Sequence, residues 1–355
     1  MLEPNVLAVL RAALPCGIDL ARAPRVLALR GVPGLAALLP GAALTVEQGF
    51  RPLHDAVRDD GALRVEAQEP VGGGWPDAAP VLVLVLLPRA RDEGRALLAR
   101  AWRDVAPDGV VLAAALNDEG ARSFEKDLAT LAPLAGRAAK AHGRAFWTEP
   151  RPPALGDAGA AVARWLAADA PRLDPASGCW TRPGVFNEGR LDAGSALLLE
   201  HLPADLGGRV ADLGAGSGLL SVAALDRCPA IASLDLFEAE VRALDLARRN
   251  LESAAAPVRL HWHDVARGVP APEGGFDAVL CNPPFHVGSR GVPALGRAFI
   301  AAAAGAMARS GQLLLVANRH LPYEDALRDA FGRGEVLAER AGFKVFRAWR
   351  PRGSA

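Results

Sequence analysis

The chain has 355 residues, 51% of them apolar and 23% charged, with 40 basic and 40 acidic side chains. This composition excludes an intrinsically disordered protein, and the length exceeds what one hydrophobic core ordinarily serves, so two domains are expected. A net charge of zero lacks the basic footprint usual in a nucleic-acid binder, which would then have to rely on a local patch.

The first residues, MLEPNVLAVLRAALPCG, have no basic leading region and too short an apolar run for a signal peptide. The longest apolar stretch, VLVLVLL at 81–87, has the length of a strand and is far too short to span a bilayer. A cytoplasmic protein without membrane attachment is the expectation. The four cysteines, Cys16, Cys179, Cys228 and Cys281, are scattered without metal-site or disulfide-framework spacing, so no metal is expected.

In the first half, PRVLALRGVPG (24–34) predicts an early strand with no glycine-rich loop after it. Residues 76–118 then read strand, turn with proline, helix, glycine-containing turn, strand. The Pro/Ala/Gly-rich segment around 148–184 reads as a linker holding one short helical stretch, AAVARWLAADA. The expected division is 1–150, a linker at 151–182, and 183–355.

The second half alternates strands and helices. Strands are predicted in RVADLG (209–214), IASLDLFE (231–238), VRLHWHD (258–264), FDAVLC (276–281) and GQLLLVAN (311–318), with periodic helical stretches such as EVRALDLARRNLESA between them. That alternation predicts an α/β fold with a parallel, doubly wound sheet. EVLAER, AGF and KVFRAWR at the end predict an antiparallel hairpin at the sheet edge. Residues 273–320 repeat the pattern of 76–118, with NPPF where the first half has LLPR. Duplication of one α/β unit is the simplest reading, with DLGAGSG and Glu238 having no counterpart in the first copy.

VADLGAGSG (210–218) is a strand running into a loop with glycines at 214, 216 and 218, followed by a helix. Such a loop allows a tight turn and a close backbone approach to a ligand. Asp212 just before it disfavours a pyrophosphate and suits an ammonium or sulfonium group. Glu238 ends the second strand about twenty residues after the loop, where such folds place an acid for ribose hydroxyls. Asp235 competes for that role, but strand alternation puts it on the opposite face. Asp264 ends the third strand and Asn282 the fourth. The ligand crevice of an open α/β sheet lies at these carboxyl ends. In CNPPFH the two prolines must stop the strand. The Asn282 side-chain carbonyl and the Pro283 carbonyl, its backbone restrained by Pro284, can then grip the two hydrogens of an exocyclic amine while Phe285 stacks on the ring.

DLGAGSG, the acid at 238, the acid at 264 and NPPF together resemble class I S-adenosylmethionine-dependent methyltransferases that act on planar nitrogens. PGVFNEGRLDAGSALLL (183–199), VLCNPPFH (279–286), VANRHLPY (316–323), FKVFRA (343–348) and NDEGARSFEKDL (117–128) are similar to the bacterial ribosomal RNA guanine-N2 methyltransferases of the RsmC and RlmG type. The resemblance implies two tandem Rossmann-like methyltransferase domains. The first is degenerate, serving RNA recognition or folding support. The second has a seven-stranded, mostly parallel sheet ending in an antiparallel hairpin. It implies S-adenosylmethionine as cofactor, with Asp212, Gly214, Ala215, Gly216 and Gly218 around its methionine part, Glu238 on its ribose, Asp264 and Val265 at its adenine, and Phe186 closing the pocket. Asn282, Pro283, Pro284 and Phe285 would hold the guanine amine. Ala215 stands where such loops often have cysteine. The implied partner is ribosomal RNA, most of all 16S RNA, or the assembled small subunit, and the internal duplication favours a monomer. A large-subunit RNA enzyme, a release-factor glutamine methyltransferase, an adenine-N6 methyltransferase and a non-catalytic RNA-binding assembly factor are the alternatives. His261 and His263 read as strand residues, and the basic C-terminus as a solvated edge.

Overall fold

A computed structural model describes residues 3–14, 24–62, 64–68, 79–186, 191–284, 286–287, 290–291 and 293–352. Two compact units divide the chain: Met1–Ala170 with Arg182–Gly184, and Pro171–Thr181 with Val185–Ala355.

The first unit runs α1 (Glu3–Ala13), β1 (Arg25–Leu29), α2 (Leu35–Leu38), β2 (Ala43–Glu47), α3 (Arg51–Asp59), β3 (Arg64–Glu66), β4 (Leu82–Leu86), α4 (Arg91–Asp104), β5 (Val110–Leu116), α5 (Ala121–Ala129), β6 (Leu134–Lys140), β7 (Gly143–Thr148) and α6 (Ala158–Ala168). Its sheet has the order β3-β2-β1-β4-β5-β7-β6. Every residue of β4 and β5 is buried, as expected of central parallel strands covered on both faces.

The second unit runs β8 (Arg172–Leu173), β9 (Trp180–Thr181), α7 (Ala193–Glu200), β10 (Gly208–Leu213), α8 (Leu219–Arg227), β11 (Ile231–Glu238), α9 (Val241–Asn250), β12 (Val258–Trp262), β13 (Phe276–Cys281), β14 (His286–Val287), β15 (Arg290–Gly291), α10 (Pro293–Ala306), β16 (Met307–Asn318), α11 (Glu324–Ala330), β17 (Phe331–Arg340) and β18 (Phe343–Pro351). Its main sheet has the order β12-β11-β10-β13-β16-β18-β17, which is the order of the first unit strand for strand. The strands from β12 to β16 are parallel, and β18 and β17 complete the sheet as the antiparallel edge hairpin. Alternation sends Ala211, Leu213, Val279 and Cys281 into a core with Phe299 and Ile300 of α10, and Val210, Ala278 and Leu280 into a second core with Leu197 and Leu198 of α7.

β16 starts at Met307 rather than at 311 as the sequence predicts, with a shift in its register against β13. Two glycines permit the close backbone approach found there. A Cβ on Gly275 would lie 2.6 Å from the Met307 carbonyl carbon, and one on Gly311 2.7 Å from the Phe276 oxygen.

The two units can be matched residue by residue at their strand ends. Gly31 donates to the Glu47 carbonyl at 3.1 Å, as Gly214 donates to the Phe237 carbonyl at 2.8 Å. Gln48 therefore holds the place of Glu238, which the sequence reading left without a counterpart. Register continues the match. Leu29 opposes Val85 as Asp212 opposes Leu280, so Leu29 stands for Asp212 and Leu87 for Asn282. Leu87-Pro88-Arg89-Ala90 is thus the true counterpart of Asn282 to Phe285, one residue beyond the LLPR alignment. Leu29 is 0% and Leu87 5% exposed, so the first unit carries buried leucines where the second carries polar groups.

Candidate active site

Asp212 and Asn282 come to one place because β10 and β13 are neighbours, with Asp212 opposite Leu280 and Leu213 opposite Cys281. This is the point where the strand order reverses, and a crevice opens beyond the strand ends there. One cleft is lined by Phe186, Leu191, Asp192, Ser195, Asp212, Gly214, Ala215, Gly216, Ser217 and Asn282, together with the start of α8.

The loop's glycines all have positive φ: 75° at Gly214, 56° at Gly216 and 79° at Gly218. They are not equivalent. A Cβ on Gly214 would meet the Phe299 ring at 3.1 Å, and one on Gly218 would meet Ala247 and Leu251 at 3.3 Å. A Cβ on Gly216 would touch nothing within 4 Å, so Gly216 leaves open space on the ligand side of the loop. Ala215 is 8% exposed and packs in the core beneath.

Two carboxylates frame this loop. Asp212 is 1% exposed and accepts a 2.6 Å hydrogen bond from the Ser221 hydroxyl of α8. Burial, with the nearby Glu238 charge, pushes its carboxyl up to about 7 against the pull of Ser221. Glu238 accepts from Gly216 N through Oε2 and from Glu240 N through Oε1, both at 2.8 Å. Its carboxyl is raised by burial, opposed by backbone N–H groups of Glu240, Gly216 and Ala239. With about four acceptor sites and three backbone donors, the carboxylate keeps room for a further donor. The competitor Asp235 is spent on structure, accepting from Arg259 at 2.8 and 2.6 Å and lying 2.8 Å from His261 Nε2.

At the end of β13, Pro283 is buried and Pro284 exposed. The Asn282 Nδ2 donates to Asp192 Oδ2 at 3.0 Å and to Ser195 Oγ at 2.8 Å. Its Oδ1 is buried and has no hydrogen-bond partner among the described residues. Phe285 lies outside the described residues. Asp264 caps the short turn after β12 by accepting from Ala266 N at 3.0 Å, and Val265 is 3% exposed in the core. Both sit one strand beyond Glu238 and do not line the cleft. Phe186, 65% exposed, stands at its mouth.

Four partners were not legible in sequence. Asp192 and Ser195 hold Asn282; Ser221 holds Asp212. Asn250 straps the chain before α7 to the glycine loop, accepting from Trp180 N at 2.5 Å and donating to the Trp180 and Ser217 carbonyls at 3.1 and 2.9 Å. The signal that existed was Asp192 ahead of a helical run, an N-cap pattern, and Asp192 Oδ1 does accept from Gly194 N and Ser195 N. His261 stacks on Phe237 with centroids 4.4 Å apart, and no cluster fit for a metal occurs among the described residues. Of the basic C-terminal residues, Lys344 pairs with Glu324 at 2.8 Å and Arg347 with Gln312 at 2.8 Å. No helix among the described residues is long and apolar enough to cross a membrane.

A glycine loop after the first strand of this sheet order, an acid ending the second strand and an N-P-P corner after the fourth define a class I methyltransferase fold. The Methyltransferase small domain family matches residues 177–347. A ribosomal RNA small subunit methyltransferase C from Shewanella amazonensis is 30% identical over 273 residues, covering 75% of this chain and 76% of that one. The chain belongs to the ribosomal RNA small subunit methyltransferase C family. Its relative from Hahella chejuensis is 37% identical over 171 residues, 48% of this chain and 49% of that one. With a relative from Shewanella sp. strain MR-4 it shares 36% identity over 163 residues, so the match spans about half the length of these curated relatives, 46% in this last case. The solved T. thermophilus 16S rRNA N2 G1207 methyltransferase (RsmC), in complex with AdoMet and guanosine, superposes with a TM-score of 0.73 at 24% identity, over 92% of this chain and 88% of that one. That likeness extends the shared fold to nearly the whole chain.

Proposed function

We propose that this chain transfers a methyl group from S-adenosylmethionine to the exocyclic N2 amine of a guanine in small-subunit ribosomal RNA. The observation that carries the reading is the Asn282 Oδ1, a buried acceptor without a donor, in the same cleft as the positive-φ glycine loop. An acceptor deprived of its bond is costly, and an incoming N–H donor relieves that cost. Family membership and the AdoMet and guanosine named with the T. thermophilus structure support the same chemistry.

The residues fit the cofactor. The space over Gly216 admits a ligand against the backbone, the Asp212 carboxyl beside the loop suits a sulfonium, and Glu238 has lone pairs for ribose hydroxyls. Bound S-adenosylmethionine supplies an electrophilic methyl group. Gly214, Ala215, Gly216 and Gly218 hold its methionine part, Phe186 covers the cleft, and the adenine reaches past the cleft to the next strand end, where Asp264 and Val265 meet it. Asn282 with the Pro283 carbonyl orients the amine, Pro284 stiffens the corner, and Phe285 stacks on the base. No general base is invoked, because a methylated, cationic amine gives up its proton readily. Most of the acceleration comes from positioning.

In this reading residues 1–150 are a degenerate copy that recognises RNA or supports folding, 151–182 connect while α6 within them packs into the first unit's core, and 183–355 catalyse. The protein works as a cytoplasmic monomer on ribosomal RNA or the assembled small subunit. The test is radiolabelled methyl transfer to 16S RNA, to small subunits and to a release factor, with nucleoside analysis of the product. N2-methylguanosine from the RNA supports the proposal; label in the release factor alone overturns it.

A further inference from the structure

A side-chain amide placed at a strand end has two orientations of equal shape, one presenting an oxygen and the other two N–H groups. Only the first can accept from an amine. In this chain the choice is made by neighbours 90 and 87 residues earlier in sequence. Asp192 Oδ2 lies 3.0 Å and Ser195 Oγ 2.8 Å from Asn282 Nδ2. A carboxylate accepts and cannot donate, so it forces the Asn282 NH2 to face it and turns Oδ1 to the other side. Asp192 is itself fixed. Its other oxygen accepts from Gly194 N at 2.9 Å and Ser195 N at 3.2 Å at the start of α7. α7 in turn packs on β18, where a Cβ on Gly194 would meet the Phe343 ring at 3.1 Å. One short run, Asp192-Ala193-Gly194-Ser195, thus supplies the cap, the close approach and both acceptors.

Resting on the methyl-transfer reading above, we infer that Asp192 and Ser195 are positioning residues: by accepting both Asn282 N–H groups they fix its carbonyl toward the substrate amine and make it a stronger acceptor. The strengthening follows from hydrogen-bond cooperativity, since an amide that donates to an anion carries more negative charge on its oxygen. The acceptor then favours an amine that gains positive charge as it is methylated. The brace discriminates for a ligand with an exocyclic amine and is indifferent to one without.

The experiment uses the full chain with S-adenosylhomocysteine and compares guanosine with inosine, which lacks the amine. Asp192→Asn keeps the shape and the helix cap but sets an NH2 against the Asn282 NH2. The expected result is guanosine binding weakened about tenfold, the loss of about one hydrogen bond, with inosine and cofactor binding unchanged. Single-turnover methylation of 16S RNA should fall at least as far. Asn282→Asp in the Asp192→Asn background restores a donor facing an acceptor and should recover most of the lost guanosine preference. Ser195→Ala should lose several-fold and Ser195→Thr regain it, and this pair decides the matter if Asp192→Asn does not fold. Equal losses for guanosine and inosine, or a wild-type preference in both Asp192→Asn and Ser195→Ala, overturn the brace. Should Asn282→Ala itself keep wild-type turnover, it is the amine clamp of the proposed function that fails, a separate outcome.

Discussion

Gln48 and Glu238 hold the same position in two sheets of the same strand order. Each follows the residue whose carbonyl accepts the N–H of the first strand's loop glycine, Glu47 and Phe237, and each accepts the backbone N–H two residues on, Phe50 N at 2.9 Å and Glu240 N at 2.8 Å. The difference lies in what the second oxygen or nitrogen does. Glu238 Oε2 reaches the loop amide of Gly216. Gln48 Nε2 donates at 2.7 Å to the Gly31 carbonyl, closing the loop on itself. With Leu29 and Leu87 at the positions of Asp212 and Asn282, the first unit has the same strand order and lacks those polar groups.

Calorimetry of the full chain should accordingly find one S-adenosylmethionine site. Glu238→Gln should weaken it by about ten- to a hundredfold, the worth of a charged hydrogen bond of roughly 1.5–3 kcal/mol. Gln48→Ala should leave affinity unchanged. Two sites, or equal effects of the two substitutions, would contradict the degenerate-copy reading.

Asn282→Ala removes a positioned acceptor without touching the glycine loop. Single-turnover transfer should fall about a hundredfold, on the order of 3 kcal/mol in the transition state, while cofactor affinity stays within a few-fold. Radiolabel transfer and equilibrium binding on the same preparation separate the two quantities.

Asp212 should make both stability and binding depend on pH. Burial raises its carboxyl from the ordinary 3.8 to about 7, so the folded chain holds a proton that the unfolded chain releases. That contribution to stability is complete below the unfolded value and is lost as pH rises through about 7. The unfolding free energy of the wild type, read from urea titrations, should therefore fall between pH 4 and 8 relative to Asp212→Asn, by up to about 4 kcal/mol at about 1.4 kcal/mol per unit. A sulfonium in the cleft favours the ionised form. S-adenosylmethionine should then bind more tightly as pH rises from 6 to 8 and release a proton, and S-adenosylhomocysteine, neutral at sulfur, should do so less. Calorimetry in buffers of different ionisation enthalpy reads the proton directly.

Gly214 and Gly216 should respond differently to alanine. Both have positive φ, a backbone cost of about 1–2 kcal/mol for an L-residue. Gly214→Ala also pushes into Phe299 and should lose more stability. Gly216→Ala fills only open space and should lose cofactor affinity while losing no more thermal stability than that backbone cost. Melting curves with and without S-adenosylmethionine distinguish the two.

Tyr323 is 0% exposed, and its hydroxyl has no partner among the described residues. It presses on α10 at Gly296, where any Cβ would collide with it. Tyr323→Phe should be neutral or stabilising by about 1 kcal/mol, because a buried unsatisfied hydroxyl is removed. Gly296→Ala should destabilise strongly, and denaturant unfolding of the two variants should give opposite signs.

Much of this protein is written locally. The alternation of apolar runs with amphipathic stretches determines the parallel sheet and its closing hairpin, because strand and helix periodicities are short-range properties. Glycines 214, 216 and 218, the acid at 238 and the two prolines after Asn282 are equally plain, since each is required by the backbone or by a strand end at its own position. The pairing of β10 with β13, which the switch-point rule anticipates, brings Asp212 and Asn282 to one cleft. The tertiary structure alone decided the rest. Only the packing of α7 puts Asp192 and Ser195 against the Asn282 amide. The equivalence of Gln48 with Glu238 and of Leu87 with Asn282 likewise became visible through strand register. Hydrogen bonds between distant segments leave no periodicity in the chain; they depend on where the sheet order places the strand ends.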